Sequence, residues 1–428
     1  MTIDVFNIII KIINILNHSF SKMDSPENTN EEAQNPDQFH FEIKGDLEEL
    51  MDTVIAFYPI SLYDYDKQKL EKKYDTSTMY KEFKKKYLDK FVLPDDTDEY
   101  RPPYANTYYG GVDFSDAKTT GLIRGIGWDL VKQIGQKILS GDFNLTTVTI
   151  PIKVMVPISV LQHVCNAHFN FPLYLNLAAQ TEDPIEQMKY VITACISSWF
   201  KSLVFLKPLN PILGETYEML WEDGSREYVE QTSHHPPRSH FLLLGPENNY
   251  KYHGYVDFTS NAWFNSMTLT NKGTRTVEFK NQKSKIKFNY AVDQYSNTFW
   301  GCFRHEAIGE MTFVDEINGY KAELSLGKVS GKFSDFFEGT IEKDDEIISE
   351  FSGSYLSYIE FDEKRYWDIR RNINIEAFPV KDQIKSSSVY REDAQLLYQK
   401  KNDEAQEAKN NLENIQRKDR KLRAQYAE

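Results

Sequence analysis

Two histidines stand side by side at His234 and His235, followed at once by two prolines, in the run Glu230-Gln-Thr-Ser-His-His-Pro-Pro237. Paired imidazoles can ligate a metal, relay a proton or donate to a phosphate. A strand-like run, Glu227 to Gln231, enters this stretch and an apolar run, Phe241 to Leu244, leaves it, so the pair reads as a stiff corner at the end of a strand. Pro236 and Pro237 fix their own φ and bias the residues before them toward extended backbone. Neighbours in an extended segment point to opposite sides, which disfavours two ligands on one metal unless the corner bends.

Two further islands carry complementary chemistry. Lys207-Pro-Leu-Asn-Pro-Ile-Leu-Gly-Glu215 clamps Asn210 between prolines and offers one cationic and one neutral donor, a pairing suited to an anion with hydroxyls nearby. Lys409, Glu413 and Arg417 recur at i, i+4 and i+8, one face of a helix, where they either act together or pair with one another in water. Brought together, two imidazoles, Lys207, Lys409 and Arg417 would grip a phosphate while Glu413 accepted from hydroxyls; spacing leaves open whether they converge. Other chemistries find little support. The histidines lack the HExxH or CxxC spacing of zinc sites, no GxSxG elbow or GxxxxGK[ST] loop appears, and Leu122 to Gly127 holds a GxG without the third glycine. No metal and no cofactor are implied.

The elements that must position these islands follow from texture. The chain has 428 residues, 40% apolar and 14% aromatic, ample for a large core, and the surplus of Phe and Tyr favours strands. A net charge of −14 argues against nucleic acid. Cys165, Cys195 and Cys302 are odd in number and far apart, which suits a reducing compartment. Residues 1–20 form an apolar segment broken by Lys11 and without the basic start of a signal peptide; 21–38 read as a flexible acidic linker; 39–103 form an extension of unassigned role that includes a Lys-rich helix, Lys67 to Lys90. Apolar positions from Leu122 to Leu139 recur at helical spacing, then Val148 to Pro157 is extended. A second helix carries Asp183 as N-cap, Pro184 at its first position and Glu186 as the partner of a capping box. From about Ile212 to Glu360 short alternating runs spaced by turn residues predict a large antiparallel sheet, curled toward a barrel. One long charged helix is expected from about Ser386 to Gln425, basic at Arg417 to Arg423.

Taken with their order in the chain, the three islands resemble the oxysterol-binding-protein-related lipid transfer family. Its signature matches Glu230 to Pro237, its second block matches Lys207 to Glu215, and its carboxy-terminal K-x-x-x-E-x-x-Q-R pattern matches Lys409 to Arg417. The resemblance covers about residues 115–423, the ligand-binding domain only. It implies an α+β, mainly β fold: a large incomplete antiparallel β-barrel around a hydrophobic lipid tunnel, at 104–383, with an amino-terminal lid and, at 384–428, a helical region packing on the tunnel mouth. It implies no catalysis. The implied ligands are phosphatidylinositol 4-phosphate and a sterol, exchanged between membranes by a cytoplasmic monomer that touches membrane surfaces transiently. By motif position, His234, His235 and Arg417 would hold the 4-phosphate, Lys207 and Asn210 the phosphodiester and ring, and Lys409 with Glu413 the inositol hydroxyls. Gly110, Gly111, Gly121, Gly125 and Gly127 would make the lid near 104–126 mobile. Ile150 to Pro157, with Lys153, fits neither the phosphatidylserine-type nor a clear sterol-type pattern of the family, so phosphatidylserine stands as the alternative second lipid. A lipid sensor without net transport and a lipid-modifying enzyme using the His pair are the rival classes.

Overall fold

A computed structural model describes residues 75–114, 120–121, 124–125, 151–152, 155–202, 207–234, 236–263, 265–380 and 383–425. The amino-terminal segment, the acidic linker, most of the helix expected from Leu122 to Leu139, and Lys153, Gly127 and His235 lie outside them. Strand β1 (Val112–Asp113) pairs with β12 below, while β2 (Met155–Ser159) and β3 (Lys207–Leu209) pair in parallel with each other. The alternating runs then become strands in near-continuous succession. They begin with β4 (Thr216–Trp221), β5 (Arg226–His234), β6 (Pro237–Leu244), β7 (Tyr250–Trp263), β8 (Ser266–Asn271), β9 (Arg275–Phe279) and β10 (Lys285–Phe288). They continue with β11 (Val292–Ser296), β12 (Arg304–Asp315), β13 (Lys321–Leu326), β14 (Phe336–Lys343), β15 (Glu346–Ser354), β16 (Tyr358–Phe361), β17 (Lys364–Asp368) and β18 (Ala377–Pro379).

All but β2 and β3 join one 16-stranded antiparallel sheet running from β17 at one edge to β18, beside β4, at the other. Those edges do not pair among the described residues, so the barrel is not closed. Alternate side chains of β5 and β13 are buried and exposed in turn, as expected of strands with one face on a core. The long strands β7 and β12 are each shared by two ladders: β7 pairs with β9 and then β8, and β12 with β11 and then β10. The sequence runs Lys285 to Val292 together, but the structure divides them at Asn289. The Asn289 amide donates to the Glu310 carbonyl at 3.2 Å and accepts from the Thr312 N–H at 2.7 Å, substituting a side chain for the ladder where the sheet forks.

The helices cover the sheet. α1 (Thr76–Lys86) opens on Asp75, which accepts from the Thr78 N–H; residues 67–74 of the expected Lys-rich helix lie outside the described residues. α2 (Val160–Asn166) has a complete capping box, Ser159 with Gln162. α3 (Phe171–Gln180) and α4 (Pro184–Ser197) pack together, and Met188, Val191, Ile192, Cys195 and Ile196 of α4 are buried. Asp183 caps α4 through the Ile185 N–H at 2.9 Å, but the expected box is incomplete. Thr181 Oγ1 takes the Asp183 N–H, and Glu186 is instead occupied by the Tyr366 hydroxyl at 2.9 Å.

A strap from Asp95 to Phe114 crosses the sheet. Asp96 and Asp98 meet Arg370 and Arg371, Glu99 meets Lys332, and Arg101 reaches Asp335 at 2.9 Å. Asp335 also accepts from the Gly111 N–H and the Ser354 hydroxyl. Gly110 and Gly111 are therefore not loose hinges. Both are buried at positive φ, +99° and +75°, where a Cβ would collide with the Ser334 backbone and the His305 carbonyl, so glycine is required for close packing. Gly121 and Gly125 have open space around them.

The long helix expected from Ser386 to Gln425 is two helices, α5 (Glu392–Tyr398) and α6 (Asn402–Gln425), preceded by a pinned segment that reaches β4. Between them Lys400 adopts φ +62°, and the Lys401 and Lys400 N–H groups return to the carbonyls of Leu396 and Leu397. This is a Schellman ending built on lysine where glycine is usual. No described helix is long and apolar enough to cross a membrane.

Candidate functional site

The His-Pro corner is the tip of the β5–β6 hairpin: His234 is the last residue of β5 and pairs across to Pro237. The register slips between Gln231 and Ser233, a bulge that bends the strand and re-aims the residues beyond it. Gln231 accepts from the buried Ser239 hydroxyl, and Thr232 Oγ1 lies 2.7 Å from His240 Nδ1, so the tip is braced from within. His235 lies outside the described residues.

The second island lies against this hairpin. The Gln231 N–H donates to the Glu215 carbonyl and the Gly214 N–H to the Gln231 carbonyl, both at 2.9 Å. Lys207 Nζ donates to Asn210 Oδ1 and to the Pro208 carbonyl. What holds the turn is a residue whose role the spacing did not disclose. The buried Glu215 carboxylate accepts from Ser159 Oγ at 2.6 Å, Ser388 Oγ at 2.7 Å, the Ile212 N–H at 2.9 Å and Arg391 Nη1 at 2.9 Å. Arg391 also donates to the Asn210 carbonyl at 2.7 Å and pairs with Asp393 at 2.6 Å. Burial alone would lower the Arg391 pKa, yet Glu215 and Asp393 outweigh it and raise it. Ser159, Ser388 and Arg391 lie 56, 173 and 176 residues from Glu215, beyond any motif's reach.

On α6 the third island forms a chain of contacts along one face. Lys409 Nζ lies 2.8 Å from Glu413 Oε1, and Glu413 Oε2 lies 3.0 Å from Arg417, which also donates to Asn414 at 2.7 Å. The pairing that water alone would favour is thus present, but Lys409 is only 4% exposed, and its contact with Glu413 is an ion pair rather than an aligned hydrogen bond. Arg417, at 55% side-chain exposure, projects into solvent.

The first and third islands are tied through the second. The Lys207 ammonium is pushed down to about 8 by burial, by the Lys409 charge and by the Arg391 charge, with Glu413 opposing. Lys409 and Arg391 therefore stand within electrostatic reach of Lys207, each with its own acidic partner: Glu413 for Lys409, Glu215 and Asp393 for Arg391. Like charges held so cost free energy that an anion would recover. Lys207 donates to Asn210 and feels the charges of Lys409 and Glu413; Arg417 lies on the same helix face as those two; His234 ends the hairpin that flanks Asn210 to Gly214. Among the described residues no group of three or more metal-ligating side chains occurs.

Comparison with known proteins agrees with this architecture. A model of the oxysterol-binding protein family matches residues 131–387, which takes in the first two islands and ends before the third. Oxysterol-binding protein 9 of Dictyostelium discoideum is 34% identical over 287 residues, 61% of this chain and 67% of that protein. Oxysterol-binding protein-related protein 1 of Mus musculus is 30% identical over 187 residues, 42% of this chain but only 19% of that longer protein. Among solved structures, the Osh3 ORD of Saccharomyces cerevisiae in complex with PI(4)P aligns with a TM-score of 0.58 at 22% identity, covering 68% of this chain and 84% of that one. The Osh1 ORD domain in complex with ergosterol aligns with the same TM-score at 18% identity, covering 83% and 90%.

Proposed function

This chain belongs to the oxysterol-binding protein family, and from that premise we propose that it carries phosphatidylinositol 4-phosphate and a sterol in turn between membranes, each in one apolar tunnel enclosed by the open barrel. The observation that supports the reading is Lys207, which donates to Asn210 and is held at a depressed pKa by burial and by the Lys409 and Arg391 charges. In this reading His234, His235 and Arg417 hold the 4-phosphate, Lys207 and Asn210 the phosphodiester and ring, and Lys409 with Glu413 the inositol hydroxyls. Charge-assisted hydrogen bonds at the mouth select the head group, and the tunnel wall takes the acyl chains at roughly 0.8 kcal/mol per buried CH₂. Gly121 and Gly125, with Gly127, are where a gate would flex. No bond is made or broken.

Transfer between liposomes tests the whole reading: phosphatidylinositol 4-phosphate should leave donor vesicles and sterol move the opposite way. Binding that saturates without transfer above background would mark a sensor, counter-transport of phosphatidylserine would replace sterol as the second lipid, and excess chemical product would mark an enzyme.

Two narrower outcomes follow from the site. Lys207 is cationic below its depressed pKa of about 8 and neutral above it, so affinity for the phosphoinositide should fall as pH rises through that value, with a proton taken up on binding at the alkaline side. Titration calorimetry in buffers of different ionisation enthalpy measures that uptake, and Lys207→Arg should flatten the profile. Arg417→Ala should weaken extraction about 10- to 100-fold, the loss of a charged hydrogen bond to phosphate, while leaving the melting temperature unchanged because only exposed partners are lost.

A further inference from the structure

The last two turns of α6 have no role in that reading. Ala405 and Ala408 bury one side of the helix, and the same side continues past Asn410 as Ile415 and Leu422, which are 55% and 53% exposed. At 100° per residue those two share one narrow stripe, with Lys418 flanking it on one side and Arg423 on the other. The run Arg417 to Arg423 holds five cations against Asp419 alone, in a chain whose net charge is −14. Arg417 lies across the helix from the stripe and is not consumed by it.

We propose that this helix end, Ile415 to Arg423, is a docking surface for an anionic lipid bilayer, in which Ile415 and Leu422 enter the interface and the flanking cations meet the head groups. An apolar stripe edged by cations is the pattern of a helix lying in a membrane surface, and each Lys or Arg near anionic lipid adds to binding. A second copy of the chain suits it poorly: two residues give little area, and pairing would set the flanking cations against like charges. The proposal rests on the lipid-carrier reading for its purpose, since docking here holds the chain at the membrane from which the ligand is drawn, while Arg417, across the helix, stays out of the bilayer contact.

The test uses the full chain with two vesicle preparations, phosphatidylcholine alone and phosphatidylcholine with phosphatidylserine, neither containing phosphoinositide. Flotation should recover the wild type on the anionic vesicles only. Lys418→Glu with Arg423→Glu should lower that recovery about tenfold or more, and Ile415→Ser with Leu422→Ser should lower it independently; all four positions are exposed, so melting should not move. Equal recovery on both preparations, undiminished binding by either double variant, or a wild-type dimer that the serine variant dissociates would each overturn the proposal. Binding of a water-soluble short-chain phosphatidylinositol 4-phosphate, measured on the same proteins, separates the two ideas. Its retention in the variants places the defect in docking, whereas its absence in the wild type would sink the carrier reading and leave docking standing.

Discussion

Glu215→Ala is expected to cost about 3 kcal/mol or more of folding stability, read as a lower urea midpoint at unchanged slope. The carboxylate is fully enclosed and satisfies four donors drawn from three parts of the chain: Ser159, Ile212, and Ser388 with Arg391. Removing it strands the Ser159 hydroxyl and the Ile212 N–H, leaves the Ser388 hydroxyl with only the Thr216 carbonyl at 3.2 Å, and leaves Arg391 with Asp393 and the Asn210 carbonyl. Those partners keep the loss at the lower end of what breaking a buried ion pair costs. Glu215→Gln, which preserves shape and some acceptor capacity, should cost less. Because the same network holds the Asn210 turn, both variants should lose phosphoinositide affinity, Ala more than Gln. Wild-type stability in Glu215→Ala would refute the role assigned to the network.

The larger effect on binding is expected from His234→Ala combined with His235→Ala. Two donors to a charged phosphate, at about 1.5–3 kcal/mol each, correspond to a loss of roughly 100-fold or more in phosphoinositide extraction. The hairpin should survive, since its bend is braced by Gln231 with Ser239 and by Thr232 with His240, and neither contact involves the substituted imidazoles. Extraction from vesicles, with thermal melting as control, separates lost chemistry from lost fold. Variants that extract as well as the wild type would remove the histidines from the site.

How much of this was legible in the sequence depends on how far each contact reaches. The sheet was visible because alternation is local and repeats strand by strand, and the α4 cap because Asp183-Pro184 is a local signal. The break at Lys400 was hidden, since a left-handed residue at a helix end is announced by glycine and here the tertiary fold imposes it on lysine. The fork at Asn289 was hidden for a related reason: an asparagine that replaces ladder bonds looks like any turn residue until its partners on β12 are known. In the site, Lys207 with Asn210 and Lys409 with Glu413 were readable as pairs, but the electrostatic reach of the second pair to Lys207 was not. Glu215 was read only as the end of a motif, because three of its four donors lie far away in the chain. The glycines at 110 and 111 show the opposite error. Glycine suggests freedom, and here it serves contact with Ser334 and His305.

The strap also bears on how the protein is made. Arg101 finds Asp335 234 residues downstream, and Arg371 finds Asp96 275 residues upstream. At a synthesis rate of about 5–20 residues per second, the acidic strap waits roughly 10–50 s after leaving the ribosome before its basic partners exist. Its many carboxylates keep it soluble during that wait, and its docking can complete only after β17 has been made. The segment translated among the first of those described is thus among the last to fold, and a ribosome stalled before Arg370 would display Asp96 and Asp98 without their arginines.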